Sequence, residues 1–366
     1  MKIIFITREG YSLPGARVRC YNFARILKQY GVSTEVLSFA DNLGAKYGEK
    51  ELEMSYLDKI KYNVKAFKML LRKERDSIFF IQRLNYHALA PFLASLLKGN
   101  KIIFDCDDWN IRENPVCYLG FFPSSKMEFL TRKIAQYADK CIVASLFLKD
   151  YLCRFNKKTY YIPTGVDTDV FKPQNNHRDA SRITFSWIGT VYHKEMQENI
   201  KFILDCFLVL AGKHRNIFLN LAGGGRYFCE ANTYINSLWC KDRIIVNDWI
   251  LPDEIPKYLS CIDIGLLPLI QHTKFNKSKS PTKLFEYMAM GRPTVSSNIG
   301  ESTHIIRDGD NGYLAGSKEE FIEKMEKLID NPVLCTYMGN KARESIEENY
   351  SLKVLGKQLS DILRTM

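Results

Sequence analysis

Between Ser278 and Val295 the chain reads SKSPTKLFEYMAMGRPTV, a segment whose residue types suit a phosphate-bearing ligand. Ser280 is a good helix cap and Pro281 suits the first helical position. The pattern therefore predicts a helix to about Met290, stopped by Gly291 and followed by a short strand. Lys283 and Glu286, three apart, share one helix face. A helix N-terminus beside a lysine attracts phosphate, and a carboxylate one turn deeper can accept hydrogen bonds from a ribose diol. On the residues alone, an amphipathic helix with a surface ion pair explains the segment equally well.

Phe104–Trp109 (FDCDDW) places three aspartates in four positions at the end of an apolar run. Such crowding of like charge invites a cation, a set of sugar hydroxyls or a raised pKa, and Asp107 is the candidate for catalysis or acceptor contact. Tyr11–Arg19 (YSLPGARVR) offers Gly15 for close backbone approach and Arg17 and Arg19 for an anion. His87 follows another strand end and reads as a structural histidine. Gly223–Gly225 lack the Lys-Ser/Thr that would make them a phosphate loop.

These residues need elements to hold them. Apolar runs predict strands at 2–7, 33–38, 78–82, 101–105, 140–144 and 159–162, with helices at 19–30, 57–75 and 126–137 between them. The scheme repeats with strands at 183–188, 218–222, 244–247, 262–266 and 294–296 and helices at 197–213, 280–290 and 318–329. Strand–helix alternation implies α/β architecture with parallel sheets, and two consecutive runs imply two doubly wound, Rossmann-like domains facing across a cleft. The polar stretch Asn175–Arg182 marks the linker, so the expected domains are 1–175 and 176–351.

The net charge of +11 is unevenly spread. Residues 1–166 hold 27 Lys and Arg against 16 Asp and Glu, and the remainder hold 25 of each. The first half is thus suited to an anionic partner such as a membrane surface, a phosphate-bearing lipid or nucleic acid. Leu57–Arg75 carries Leu57, Ile60, Val64, Phe67, Leu70 and Leu71 at helical spacing with lysines between. It is either a core-facing helix with a solvated face or a basic amphipathic helix on anionic membrane. No run is long enough to span a bilayer, and MKIIFITREG reads as a strand, not a signal peptide, which places the protein in the cytoplasm. The ten cysteines have no CxxC spacing and, with the histidines, point to reduced, buried thiols and no metal.

The segment from Lys279 to Val295 resembles the donor-binding motif of the family-4 retaining glycosyltransferases of the GT-B fold (glycosyl transferases group 1). The resemblance covers nearly the whole chain: IPTGVDTDVF (162–171), SWIG (186–189), LAGGG (221–225), NDWI (247–250), DIGLLP (263–268) and GESTHIIRDGDNGYL (300–314) follow in order. It implies a hexose or N-acetylhexosamine moved from a UDP- or GDP-sugar to a saccharide or lipid-linked acceptor in cell-surface polysaccharide synthesis, with no cofactor, metal or nucleic acid. Residues 1–175 would bind the acceptor, 176–351 the donor, and 352–366 would form a helix crossing back to the first domain. Glu286 matches the ribose-binding glutamate, while Ser278 stands where the family has a sugar-binding glutamate. Lys279, Thr282, Lys283, Gly189, Lys194 and Trp249 complete the expected donor set, and the family's Gly-Arg is missing after Gly189. Asp107 stands nearest the family's histidine, and Gly15, Arg17 and Arg19 lie in its acceptor and phosphate loop. A non-catalytic sugar-nucleotide-binding protein and a sugar-nucleotide 2-epimerase are the alternatives. Peripheral contact with the inner face of the plasma membrane fits the basic first half.

Overall fold

The computed structural model describes residues 2–47, 50, 53–109, 117–118, 122–123, 126–174, 181–191 and 194–366. The chain divides into two compact units: residues 1–165, 273–280 and 352–366, and residues 166–272 and 281–351. The expected boundary at 175 therefore falls inside the second unit. The Val166–Phe171 stretch packs there, with Val166 N–H donating to the Tyr350 carbonyl and Arg343 reaching the carbonyls of Thr168 and Phe171. Most of the anticipated linker, 175–180, lies outside the described residues, as do His177 and His193.

The first unit holds strands β1 (Lys2–Thr7), β2 (Ser33–Ser38), β3 (Ile78–Gln82), β4 (Ile102–Cys106), a small antiparallel pair β5 (Cys117–Tyr118) and β6 (Phe122–Pro123), then β7 (Lys140–Val143) and β8 (Thr159–Tyr161). Six of them form one parallel sheet in the order β2-β1-β3-β4-β7-β8. Runs such as IIF, IFFI and IIF are apolar on both faces because helices cover both. One cover includes helices Tyr56–Leu71, Leu89–Lys98 and Lys126–Tyr137, whose Ala66, Leu70, Ala90, Ala94, Ile134 and Ala135 are buried. The opposite cover includes Phe23–Gln29 and the last helix, Leu352–Arg364, whose Leu352, Leu355, Leu359 and Leu363 fill the same core as Phe5 and Phe80. Each such side chain contributes roughly 1.5–3 kcal/mol of burial free energy.

The second unit holds β9 (Ile183–Thr190), β10 (Ile217–Gly224), β11 (Ile244–Asn247), β12 (Ile264–Leu267), β13 (Thr294–Ser297) and β14 (Tyr313–Ala315), parallel in the order β11-β10-β9-β12-β13-β14. Five of these strands and the major helices match their sequence-predicted positions to within a few residues; β14 has no counterpart among the expected strands. Among the described residues no helix is long and apolar enough to cross a membrane.

Both sheets are built outward from a first strand that has its successors on either side. Strand order reverses between β1 and β3 in one unit and between β9 and β12 in the other. At such reversals the connecting loops diverge and leave a crevice at the carboxyl ends of the strands, where ligands bind in open α/β sheets.

Candidate functional site

In the second unit the reversal lies at the end of β9, which carries Gly189. A Cβ on Gly189 would collide with the Lys283 ammonium and come within 2.8 Å of the Trp187 ring. Only a residue without a side chain leaves that space to the ammonium. Lys283 Nζ sits 4.3 Å above the centre of the Trp187 ring, whose face favours a cation. Lys283 belongs to the helix Thr282–Ala289, so a lysine and a helix N-terminus stand together beside a glycine-walled strand end. Tyr287 anchors this helix: its hydroxyl accepts from Ile188 N–H at 3.1 Å and donates to the Ser186 carbonyl at 3.2 Å, both on β9. Glu286 is buried one turn from the helix start. Thr282 is the first helical residue.

The helix begins two residues later than expected. Pro281, whose ring has no hydrogen-bonding group, takes the cap position, and Ser280 Oγ instead accepts from Thr164 N–H at 2.9 Å in the first unit. The helix ends with Met290 as its cap and Gly291 in left-handed conformation, as the sequence indicates. Elsewhere in this unit Trp249 stands beside Gly224, part-exposed, and Lys194 opens the helix Lys194–Lys213 as an exposed residue.

In the first unit the reversal between β1 and β3 is occupied by charge. Arg83, directly after β3, adopts φ +58°, the one positive φ at a non-glycine residue among those described. Such a conformation costs about 1–3 kcal/mol and persists where the surroundings enforce it. Here three carboxylates enforce it. Asp107 receives Arg83 Nε at 2.5 Å and Nη2 at 2.9 Å, Asp108 receives Nη2 at 2.9 Å, and Glu9 lies 3.5 Å from Nη1. Gln82 adds a hydrogen bond to Asp107 at 3.1 Å. Gly15 closes over the cluster: a Cβ there would lie 2.9 Å from Arg83 Nη2 and 3.1 Å from Glu9 Oε2.

The aspartates of FDCDDW thus have separate fates. Asp105 is fully buried and paired with Arg19, which donates Nε at 3.0 Å and Nη2 to its two oxygens and Nη1 to the Ile162 carbonyl at 2.7 Å. Burial pushes the Asp105 carboxyl up to about 6 against the pull of Arg19. Burial also pushes Asp107 up, but the Arg83 guanidinium outweighs it and holds Asp107 below the usual carboxylate range. Asp108 has one arginine contact; burial raises it to about 6, with Arg83 and Lys279 opposing and Asp107 and Glu9 reinforcing.

Several expected ligands are placed otherwise. Arg19 is locked inside by Asp105 and cannot meet a solvent anion. It lies in a π-helical segment, Arg17–Asn22, and Arg17, also buried, donates to the Ser12 carbonyl at 3.2 Å. Ser278 is buried in the first unit; its hydroxyl accepts from Trp109 N–H at 3.0 Å and donates to the Phe275 carbonyl. Lys279 also belongs to the first unit, with Nζ 4.3 Å above the Phe275 ring, and burial lowers its pKa while Asp108 opposes. The expected donor group Lys279–Glu286 is thus split, with Ser278 and Lys279 in one unit and Thr282, Lys283 and Glu286 in the other. His87 is structural: fully buried, with Nε2 2.9 Å from the Gln82 carbonyl. Cys261, expected inside, is exposed.

The sequence pattern did not single out Arg83, Glu9 or Asp108. The available signal was positional: Glu9 and Arg83 each follow the carboxyl end of a buried strand, where an α/β protein keeps its site.

Residues 182–331, most of the second unit, match the model of the glycosyl transferases group 1 family. TuaH of Bacillus subtilis, a glycosyltransferase named for teichuronic acid biosynthesis, is 26% identical over 289 residues, covering 74% of this chain and 68% of that protein. The alpha-D-kanosaminyltransferase of Streptomyces kanamyceticus is 21% identical over 300 residues, covering 76% and 74%. Among solved structures, Anabaena HepE in complex with UDP and glucose superposes with a TM-score of 0.73 at 14% identity over the full length of both chains. Two doubly wound sheets with these relatives define a glycosyltransferase of the GT-B fold. The chain is an enzyme of that class.

Proposed function

We propose that this enzyme transfers a hexose or N-acetylhexosamine from a UDP- or GDP-sugar to a saccharide or lipid-linked acceptor, with retention, during assembly of a surface polysaccharide. The observation that carries this reading is the Lys283 ammonium standing where a Gly189 side chain would be, at the end of β9 and the start of a helix. That arrangement offers a positive charge and helix N–H groups, which together suit a diphosphate. The buried Glu286 then accepts from the ribose diol. HepE, holding UDP and glucose on the same fold, supports a nucleotide-sugar donor.

In the reaction the bond from C1 to the diphosphate oxygen breaks and a bond from C1 to the acceptor oxygen forms. The leaving diphosphate takes the electron pair, which Lys283 stabilises. The acceptor hydroxyl loses its proton. Asp107 is committed to Arg83 and Gln82 and orients the guanidinium, so Asp108, with its pKa near 6 and only one arginine contact, is the proton acceptor in this reading. The carboxylate-and-arginine cluster beneath Gly15 is the acceptor-side surface of the first unit.

Incubation with a panel of UDP- and GDP-sugars, reading nucleotide release with and without acceptor lipid, tests the proposal. Slow release without acceptor and faster release with it are expected. Interconversion of sugars with no release would instead mark an epimerase, and binding without turnover a non-catalytic protein. Glu286→Ala should weaken nucleotide binding about tenfold, the worth of a buried charged hydrogen bond; unchanged affinity would remove the ribose assignment.

A further inference from the structure

The helix Tyr56–Leu71 covers the sheet with one face and leaves a row of apolar residues outside. Its buried residues are Asn63, Ala66 and Leu70, while Leu57 is 76% exposed and Ile60 and Val64 are also exposed. These three apolar residues, spaced three and four apart, make one stripe along the outside. Beside it runs a second stripe, Lys61, Lys65, Lys68 and Arg72, spaced four, three and four apart. The helix carries a single acidic residue, Asp58, and that is used in a capping box with Ser55.

The neighbouring helix Leu89–Lys98 repeats the arrangement. Ala90, Pro91, Ala94 and Ser95 are buried, and Leu93, Leu96 and Leu97 are exposed, Leu97 at 71%. It carries no acidic residue. The two helices are fixed to each other: Asn63 Oδ1 accepts from Ala90 N–H at 3.0 Å, and Lys98 Nζ donates to the Leu71 carbonyl at 2.9 Å. Their apolar stripes therefore belong to one rigid layer of the first unit, with lysines interleaved.

We infer that this layer is a membrane-docking surface for an anionic lipid bilayer. Leucine and isoleucine side chains exposed along a basic helix match the boundary between headgroups and acyl chains, and the lysines match anionic headgroups. A second copy of the chain is a poorer occupant, because a two-fold contact would bring the same basic stripe to both sides. The inference goes beyond the donor assignment and stands on residues outside the nucleotide-sugar site.

The test is co-sedimentation of the full chain with vesicles of phosphatidylcholine alone and of equal parts phosphatidylcholine and phosphatidylglycerol. Binding only to the anionic vesicles, weakened by salt, is expected. The triple variant Lys61→Glu, Lys65→Glu, Lys68→Glu should lower partitioning on the order of 100-fold. Leu57→Ser with Leu97→Ser should lower it as well, and both variants should keep wild-type donor hydrolysis, which shows that they fold. Failure of the wild-type chain to sediment with anionic vesicles would overturn the inference. So would equal binding to both vesicle types, equal binding by the variants, or a concentration-dependent dimer that Leu57→Ser abolishes, which would assign the surface to a second copy.

Discussion

The crevices at the two strand-order reversals are built on opposite plans. At β1 and β3 the chain supplies both signs of charge: Arg83 is shared among Glu9, Asp107 and Asp108, which hold its backbone in a strained conformation. At β9 the chain supplies a lysine in a space cleared by a glycine: Lys283 stands over Trp187, in room that Gly189 leaves. The first plan fixes geometry and offers a strongly polar surface with carboxylates in excess of the guanidinium, suited to the hydroxyls of an uncharged polyol. The second offers positive charge at a place a phosphate can reach. Fold alone makes the two units alike, so the division of labour lies in which residues end the strands.

This contrast predicts different consequences of losing each cation. Removing Arg83 strands Asp107 beside Glu9 and Asp108 in a buried setting. Arg83→Ala should destabilise the protein by about 3 kcal/mol, at the low end for a broken buried pair because the guanidinium is partly exposed. Arg83→Gly should recover part of that loss by relieving the positive φ. Urea denaturation reads both. If Arg83→Ala unfolds at the wild-type midpoint, the cluster does not hold the first site together.

Lys283→Ala should do the reverse, leaving the urea midpoint near wild type and lowering kcat about 100- to 1,000-fold, as expected for a group that stabilises charge developing on a leaving group. Gly189→Ala should mimic it in part, since its Cβ displaces the ammonium without removing the charge. A Lys283→Ala enzyme with unchanged turnover would place leaving-group stabilisation elsewhere in the chain.

How far these sites were legible in the sequence follows from their plans. The second was largely legible, because a helix start, a proline, a lysine and a glutamate at fixed spacing are local features, and Gly189 ends a recognisable strand. Local spacing did not show that Ser278 and Lys279 fold with the first unit, a matter of long-range packing through Trp109 N–H and Phe275. The first site was half legible. FDCDDW announced a cluster of acids, but its meaning depends on Arg19 and Arg83, far away in the chain. The same limit governs Leu57–Arg75: periodicity revealed a stripe, and only the sheet it packs against decides that Leu57, Ile60, Val64 and Leu71 face out while Leu70 faces in.

The smallest effect tests the charge balance of the first site through protons. His87 is buried and neutral. Burial, with Arg8 and Arg83 adding to it, lowers its pKa to about 3, although the bond to the Gln82 carbonyl opposes. Its Nδ1 is buried without a partner, so a second ring proton would have nowhere to bond. Between the ordinary value near 6.5 and the folded value the unfolded chain holds a proton that the folded chain refuses, so His87 lowers stability as pH falls through that window. Asp105 and Asp108 act the other way. Their folded values near 6 lie above the ordinary carboxylate value, so the folded state gains a proton first and stability rises as pH falls below 6. The wild-type profile mixes these opposing slopes, and single variants separate them. The cost of His87→Gln measured at pH 7 should shrink by about 2 kcal/mol at pH 5, whereas Asp108→Asn should look progressively worse against wild type over the same interval. Urea midpoints at the two pH values supply both differences, and a His87→Gln cost that does not change with pH would mean that the ring is not held neutral by its burial beside the arginines.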